Sequence, residues 1–329
     1  MDLPLVSIII PAFNRAEIIK ETLDSIINQT YSNWECIIVD DVSSDSTLSV
    51  LNEYSKKDVR IKVFTRPNTK LKGANACRNY GLSLAQGYYC IFFDSDDIMA
   101  TTCLEQRVIY FSKHYDLDFL VFSMGVFKKK MKFETYPHRK VVNLTIKETI
   151  EEFILSDILP WNVCRPIFKT DLIQNKVGFN EKIQNFQDEE FNIRLLSSLK
   201  PNYLSIDITD SYYRFDDASV NKYNSLKGTQ DIVDCFYEYY ATVFNALSNE
   251  QKRKHSKQLK IKFLNQVRFY VIPKVNKKVV FQTIKLFKKE LGFNSKELVI
   301  INLTLVLNTY FYNKKGYHFI SNKIKFLMN

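Results

Sequence analysis

At 329 residues, with 46% hydrophobic and 14% aromatic content, the chain has ample apolar material for a folded core, which excludes a disordered or low-complexity protein. Six cysteines at 36, 77, 90, 103, 164 and 235 form no C-x-x-C pair and no metal-ligand spacing, so they read as reduced thiols rather than a disulfide framework or zinc module. The net charge of +10 is unevenly held: residues 221–329 carry 20 Lys+Arg against 6 Asp+Glu, a balance of +14 that leaves −4 for the remainder and puts a boundary near Val220.

The chain opens MDLPLVSIIIP, with an early acidic residue and only a short apolar run, so no signal peptide is expected. Nowhere do 18 apolar residues follow one another, and the expected location is the cytoplasmic side of the membrane. VSIII (6–10) is an apolar run ended by Pro11 and reads as a buried strand. Apolar residues at helical spacing from Ala16 to Gln29 predict a helix, and ECIIVD (35–40) a second strand ending in Asp40-Asp41. Ser43-Ser44-Asp45 offers an N-cap before a helix holding Leu48, Val50, Leu51 and Tyr54. IKVF (61–64) is a third strand, Gly73–Gln86 a helix, and YYCIFF (88–93) a fourth strand. Strands alternating with helices imply a mainly parallel sheet covered on both faces. Further on, 102–114 reads as helix, FLVFSMGVF (119–127) as strand and KKKMKF as a solvated loop; a helix-like stretch comes after Trp161-Asn162. The segment 179–196 ends in a helix that starts with Asp188, Glu189 and Glu190.

In open sheets of this kind ligands sit beyond the carboxyl ends of the strands. Here Pro11-Ala12-Phe13-Asn14 follows the first strand, Asp40-Asp41 the second and Asp94-Ser95-Asp96-Asp97 the fourth. Alternate residues of an extended segment share a side, so Asp94 and Asp96 can face one hard divalent cation, Mg²⁺ or Mn²⁺, while Asp97 turns away to cap the next element. A solvated acidic turn would explain the same tripeptide. A haloacid-dehalogenase-type phosphatase would place Gly-Thr where Asp97-Ile98 stand, and a calcium loop of the EF-hand kind would need glycine where Met99 stands.

The blocks VSIIIPAFNRAE, SIINQTYSNWECIIVDDVSSDST and GANACRNYGLSLAQGYYCIFFDSDD, in this order and spacing, resemble the family 2 inverting glycosyltransferases of bacterial surface-polysaccharide type. The match is dense over residues 5–99; weaker blocks at Trp161, Gln187–Phe191 and Tyr213-Arg214 with Ser219 extend it to about residue 220. The resemblance implies an α/β, Rossmann-like GT-A fold with a mainly parallel central sheet, divided into a nucleotide-sugar half (1–99) and an acceptor half (100–220); it does not reach the last hundred residues, where charge and helical spacing give a basic, mostly helical region (221–329). It implies a donor, a UDP-sugar, and transfer to a glycan or lipid-linked glycan in capsule, O-antigen or related synthesis. Pro11, Phe13, Asn14 and Glu17 would form and support the nucleotide pocket, Asp41 would accept from the base, and Arg78 would approach the phosphates. Asp94 and Ser95 would face the ribose side, Asp96 with Asp94 would hold Mn²⁺ or Mg²⁺, and Asp188 would be the general base. Trp161 and Glu189 would lie on the acceptor side. The sequence departs from the family at Gln187, where Glu is usual before the base, at Val42, where the loop usually has Gly, and at Val163, where Lys is common. Asp41 as a helix cap, Arg78 as a surface residue and Trp161 as core are the structural alternatives.

The tail mixes basic and apolar residues at helical spacing in KQLKIKFLNQVRFYVI and VVFQTIKLFKKEL; VIINLTLVLNTYFY (299–312) is its most apolar piece. Peripheral contact with an anionic membrane is the expectation, against a packing or homo-oligomer interface; no nucleic-acid motif accompanies the charge, and no nucleic acid is expected as partner. A non-enzymatic rival is a degenerate fold kept as a membrane-docked scaffold or carbohydrate-binding module, against which Asp41, Asp96 and Asp188 all speak.

Overall fold

A computed structural model of the chain describes residues 3–128, 132–135, 143–156, 158–215, 226–312, 314–317, 319–320 and 323. The chain divides into two compact units, one of residues 1–181 with 187–216 and one of residues 182–186 with 217–329. The expected boundary at Val220, Ser219 of the family blocks and residues 129–131 of KKKMKF lie outside the described residues.

The first unit is α/β, as expected. Its parallel half is built from β1 (Val6–Ala12), α1 (Ile19–Ile27), β2 (Trp34–Asp40), α2 (Thr47–Lys57), β3 (Ile61–Thr65), α3 (Ala74–Leu84) and β4 (Tyr89–Phe92), with strand order β3-β2-β1-β4. All three pairings are parallel. β1 and β2 are buried along their whole length, which is why their sequences run apolar without alternation. Pro11 does not end β1. The strand runs through it to Ala12 against Asp40, and the ladder to β4 has already ended at Ile9–Phe92, so the missing N–H leaves no gap on that side. α3 sits directly on β1: a Cβ at Gly81 would come within 2.6 Å of the Ile9 Cγ2 atom, so only glycine permits the approach.

Beyond β4 the sheet becomes mixed. β5 (Ile98–Met99), α4 (Cys103–Lys113), β6 (Phe119–Lys128), β7 (Lys132–Thr135), α5 (Ile146–Leu155), β8 (Pro166–Lys169), α6 (Thr170–Ile173), α7 (Gln187–Leu199) and β9 (Tyr203–Arg214) complete the unit. β8 is antiparallel to both β4 and β6, and β6 runs parallel to β9 across a bulge at Phe122–Met124. The helix-like stretch expected after Trp161 begins as the strand β8 and is helical only over the four residues of α6, and the KKKMKF loop gives its two ends to β6 and β7. At its far end β9 pairs with β5, Tyr212 opposite Ile98. That end is fixed by a fully buried, two-pronged ion pair in which Arg107 of α4 donates to Asp210 at 2.6 and 2.9 Å. Removing one partner of such a pair leaves a buried charge uncompensated.

The second unit is helical, also as expected: α8 (Leu226–Asp234), α9 (Phe236–Ala246), α10 (Asn249–Tyr270), α11 (Lys278–Glu290) and α12 (Ser295–Tyr310). Its core is aromatic, with Tyr240, Phe263 and Phe287 packed at centroid distances of 4.5 to 5.4 Å. Capping boxes start α10 at Ser248 and α12 at Asn294. Among the described residues no helix is long and apolar enough to cross a membrane.

Candidate active site

The loops after β1, β2 and β4 are tied into one edge of the sheet. Asn14 takes up a left-handed backbone (φ 52°), its Oδ1 accepts from the Ser44 N–H at 2.9 Å, and its own N–H donates to Ser43 Oγ at 3.0 Å. Arg15 and Ala16 donate their N–H groups to Thr47 Oγ1 and Asp45 Oδ2. Ser43 in turn donates to Asp40 from both its N–H and its hydroxyl. Phe13 is exposed, with the Lys72 ammonium 4.3 Å from its ring centroid, and Glu17 is exposed; Pro11 is buried beneath them. Asp41 is 4% exposed and accepts from Arg66 Nε, so it caps no helix. Arg66, read in the sequence only as part of the turn after β3, also donates to the Lys70 carbonyl at 2.7 Å and braces that loop.

Val42, in the position where the family usually has glycine, has φ +60° and is half exposed. A β-branched side chain in this region is strained. Val42→Gly is therefore expected to stabilise the protein by about 1 kcal/mol, the relief of strain exceeding the added unfolded-state freedom of glycine. Denaturant titration checks it; a loss of stability would mean that the Val42 side chain makes contacts worth more than its strain.

Around the acidic loop three carboxylates and three cations interlock. Arg78, on α3 and 3% exposed, donates to Asp94 Oδ1 at 2.6 Å and to Asn75 Oδ1 at 3.2 Å. Burial opposes its charge most strongly, but the Asp94 carboxylate, its hydrogen bond, and the charges of Cys164 and Asp188 together leave the guanidinium pKa raised. Asp97 is fully buried and does not cap the next element. Its Oδ1 accepts from the Arg214 N–H at 3.0 Å, and its Oδ2 has no hydrogen-bond partner among the described residues. Burial, with the charges of Asp94 and Asp96, pushes its carboxyl well above the usual range. Asp96 is partly exposed, lies 3.6 Å from Arg15, and is raised by burial and Asp94 against the pull of Arg15 and Arg214. Arg214, delivered by the β5–β9 pairing, donates to the Asp96 carbonyl at 2.8 Å and to Glu21 Oε2 at 2.7 Å. Ser95 is buried.

One potential ligand atom from each of Asp94, Asp97 and Cys164 lies within 4.8 Å of the others. The orphaned Asp97 oxygen and the carboxyls of Asp96 and Asp97, each raised by burial and the Asp94 charge, fit a nearby divalent cation, which would relieve them. Cys164 fits it poorly: burial and the Asp94 and Asp97 charges push its thiol well above the ordinary value, and a thiol is a weak partner for Mg²⁺ or Mn²⁺.

Asp188 opens α7, where Oδ1 accepts from the Val163 N–H at 3.1 Å. Asp94 and Asp188 thus converge electrostatically on the same buried Arg78, although 94 residues separate them in sequence. Two residues expected on the acceptor side are buried. Trp161 is 2% exposed, packs at 4.9 Å against the Phe153 ring and donates its indole N–H to Asn192, so it is core; Glu189 is buried as well.

The glycosyl transferase family 2 model matches residues 7–176. The chain is 33% identical over 217 residues to the poly(ribitol-phosphate) beta-glucosyltransferase of Bacillus spizizenii, covering 63% of this chain and 32% of that protein. It is 30% identical over 251 residues to WfgD of Escherichia coli, the UDP-Glc:alpha-D-GlcNAc-diphosphoundecaprenol beta-1,3-glucosyltransferase, covering 72% and 88%. The chain spans between 41% and 56% of the length of three other curated relatives. Among solved structures, Staphylococcus aureus TarS 1–349 in complex with UDP-GlcNAc shares the fold, with a TM-score of 0.56, 18% identity and 93% of each chain covered. A family match over more than half the chain, on the segment that supplies β1 to β8, means that this chain belongs to glycosyl transferase family 2.

Proposed function

We propose that the protein is an inverting glycosyltransferase that moves one sugar from a UDP-sugar to a saccharide or lipid-linked saccharide acceptor during assembly of a bacterial surface polysaccharide. The observation that carries this reading is the convergence of Asp188 and the acidic loop on Arg78, beside the linked loops of Asn14 and Asp41. The relatives support the acceptor class, since one is named for a poly(ribitol-phosphate) and another for a diphosphoundecaprenol-linked sugar. A UDP donor is supported by the name of the second and by the ligand of the structural neighbour.

In this reading Asp41 selects the base, and Phe13 offers it an exposed ring face. Asp188 takes the proton from the acceptor hydroxyl. The acceptor oxygen then forms its bond to the anomeric carbon as the bond to the diphosphate breaks on the opposite face, its electron pair leaving with the phosphate oxygen. Asp94 and Asp96 would hold a divalent cation, Mn²⁺ or Mg²⁺, which supplies compensation for charge building on the leaving diphosphate. Arg78 orients Asp94 through its hydrogen bond, and Arg214 fixes the backbone of the same loop. In this reading the transfer takes place on the cytoplasmic side of the membrane.

Thermal-shift titration with UDP, GDP and their sugars, with and without Mn²⁺, tests the proposal. Stabilisation by UDP compounds that deepens with Mn²⁺ is expected, about 2.7 kcal/mol at a hundredfold excess over Kd. Failure of every nucleotide to stabilise the chain would sink the donor assignment and favour a non-catalytic role.

A further inference from the structure

Helix α12 is apolar on both faces. One side is core, with Ile300, Ile301, Thr304 and Leu305 buried. The other presents Val299, Leu303, Val306 and Tyr310, each between 48% and 65% exposed. Their spacing of four, three and four residues aligns them into a single stripe about 17 Å long. Asn302 and Lys296 flank the stripe, and no carboxylate lies on it. Glu297, the last acidic residue of the chain, is turned aside onto Lys260 at 2.9 Å. From Leu298 onward the sequence has four lysines and no Asp or Glu. At the C-terminal end of the stripe the exposed rings of Phe311 and Phe319 carry the ammonium groups of Lys314 and Lys323 at 5.5 and 4.5 Å.

We propose that this face of α12 lies in the interface of an anionic lipid bilayer, with the aliphatic stripe among the acyl chains and the lysines after Tyr310 on the headgroups. Charge decides between the candidate occupants. In a second copy, antiparallel pairing across the stripe would set the Lys314–Lys315 end against Lys296, and parallel pairing would set lysine on lysine. Neither brings an opposite charge into contact. An anionic bilayer supplies an apolar layer beside a negative one, and matches the two parts of this surface in order. Sixteen residues are too few to span, so the helix would lie in the plane. The aromatic rings with lysines over them suit the boundary between the two layers. This inference does not depend on the donor or metal assignments of the other unit.

Flotation of the full chain with vesicles of equal parts phosphatidylglycerol and phosphatidylcholine, and with phosphatidylcholine alone, tests it. The chain is expected to float with the anionic vesicles, more weakly as salt rises, and not with the neutral ones. Leu303→Glu with Val306→Glu, both at exposed positions, should lower the apparent partition by ~10-fold or more. Lys314→Ser with Lys315→Ser should lower it several-fold on anionic vesicles and keeps the proposal testable if the glutamate pair fails to fold, with the circular dichroism melting curve of the same samples as the control for the folded chain. Absence of the parent from floated anionic vesicles would overturn the proposal. So would flotation untouched by both pairs, or a dimer in sedimentation equilibrium that the glutamate pair dissolves without any vesicle binding, which would assign the stripe to a second copy.

Discussion

Asp188→Asn is expected to bind UDP as tightly as the parent while transferring sugar about 10³-fold more slowly, about 4 kcal/mol of transition-state stabilisation. The expectation rests on where the carboxylate sits. Its Oδ1 receives the Val163 N–H at the start of α7, and an asparagine oxygen can accept the same hydrogen bond, so the helix start keeps its partner. The amide cannot, however, take a proton from an acceptor hydroxyl. The neighbouring Glu190 is poorly suited to the role, because Arg194 holds both its oxygens at 2.8 and 2.9 Å and it is 1% exposed. Isothermal titration with UDP and single-turnover transfer with matched donor and acceptor separate the two effects. A parental transfer rate would remove Asp188 from the mechanism, whereas lost nucleotide binding would mean that it holds the fold of the donor site.

The parallel half of the sheet was readable because its signals are local: short, fully apolar runs for buried strands and helical spacing between them. The elements that escaped depend on long-range pairing. β9 carries Asp207 outward and Asp210 inward, and its register to β6 shifts at Ser123, so no simple alternation marks it as a strand. Its inward Asp210 is tolerable only because Arg107, more than a hundred residues earlier, meets it. Arg214 was visible as part of a family block, but its reach to Asp96, Asp97 and Glu21 depends on the β5–β9 pairing. Trp161 misled for the opposite reason. A tryptophan in a recognisable block invites a role in binding, and only the packing of Phe119, Phe153 and Tyr203 around it reveals a core residue. Val42 is the instructive middle case: the departure from glycine was legible, and the left-handed backbone that makes it matter was not.

The acidic loop offers two divisions of labour, and one substitution separates them. If Asp94 and Asp96 hold the cation, Asp96→Asn should weaken Mn²⁺ binding in the presence of UDP by ~100-fold, about 2.7 kcal/mol, with little change in thermal stability. The small stability cost reflects the partial exposure of Asp96 and its long, 3.6 Å ion pair to Arg15, a contact of the kind worth little. Asp97→Asn should behave differently. The amide oxygen can accept from Arg214 as the carboxyl does, while the amide NH₂ replaces a buried oxygen that has no partner, so Mn²⁺ binding should stay within a few-fold of the parent. Solvent access supports this division, since Asp97 has one oxygen committed to the β9 backbone and no exposure, whereas Asp96 is partly exposed; the closeness of Asp97 to Asp94 supports the other. Manganese paramagnetic resonance with UDP present reads both variants directly. A loss in Asp97→Asn with Asp96→Asn unaffected would reverse the assignment and move the cation to the Asp94–Asp97 side of the loop, leaving Asp96 as the partner of Arg15.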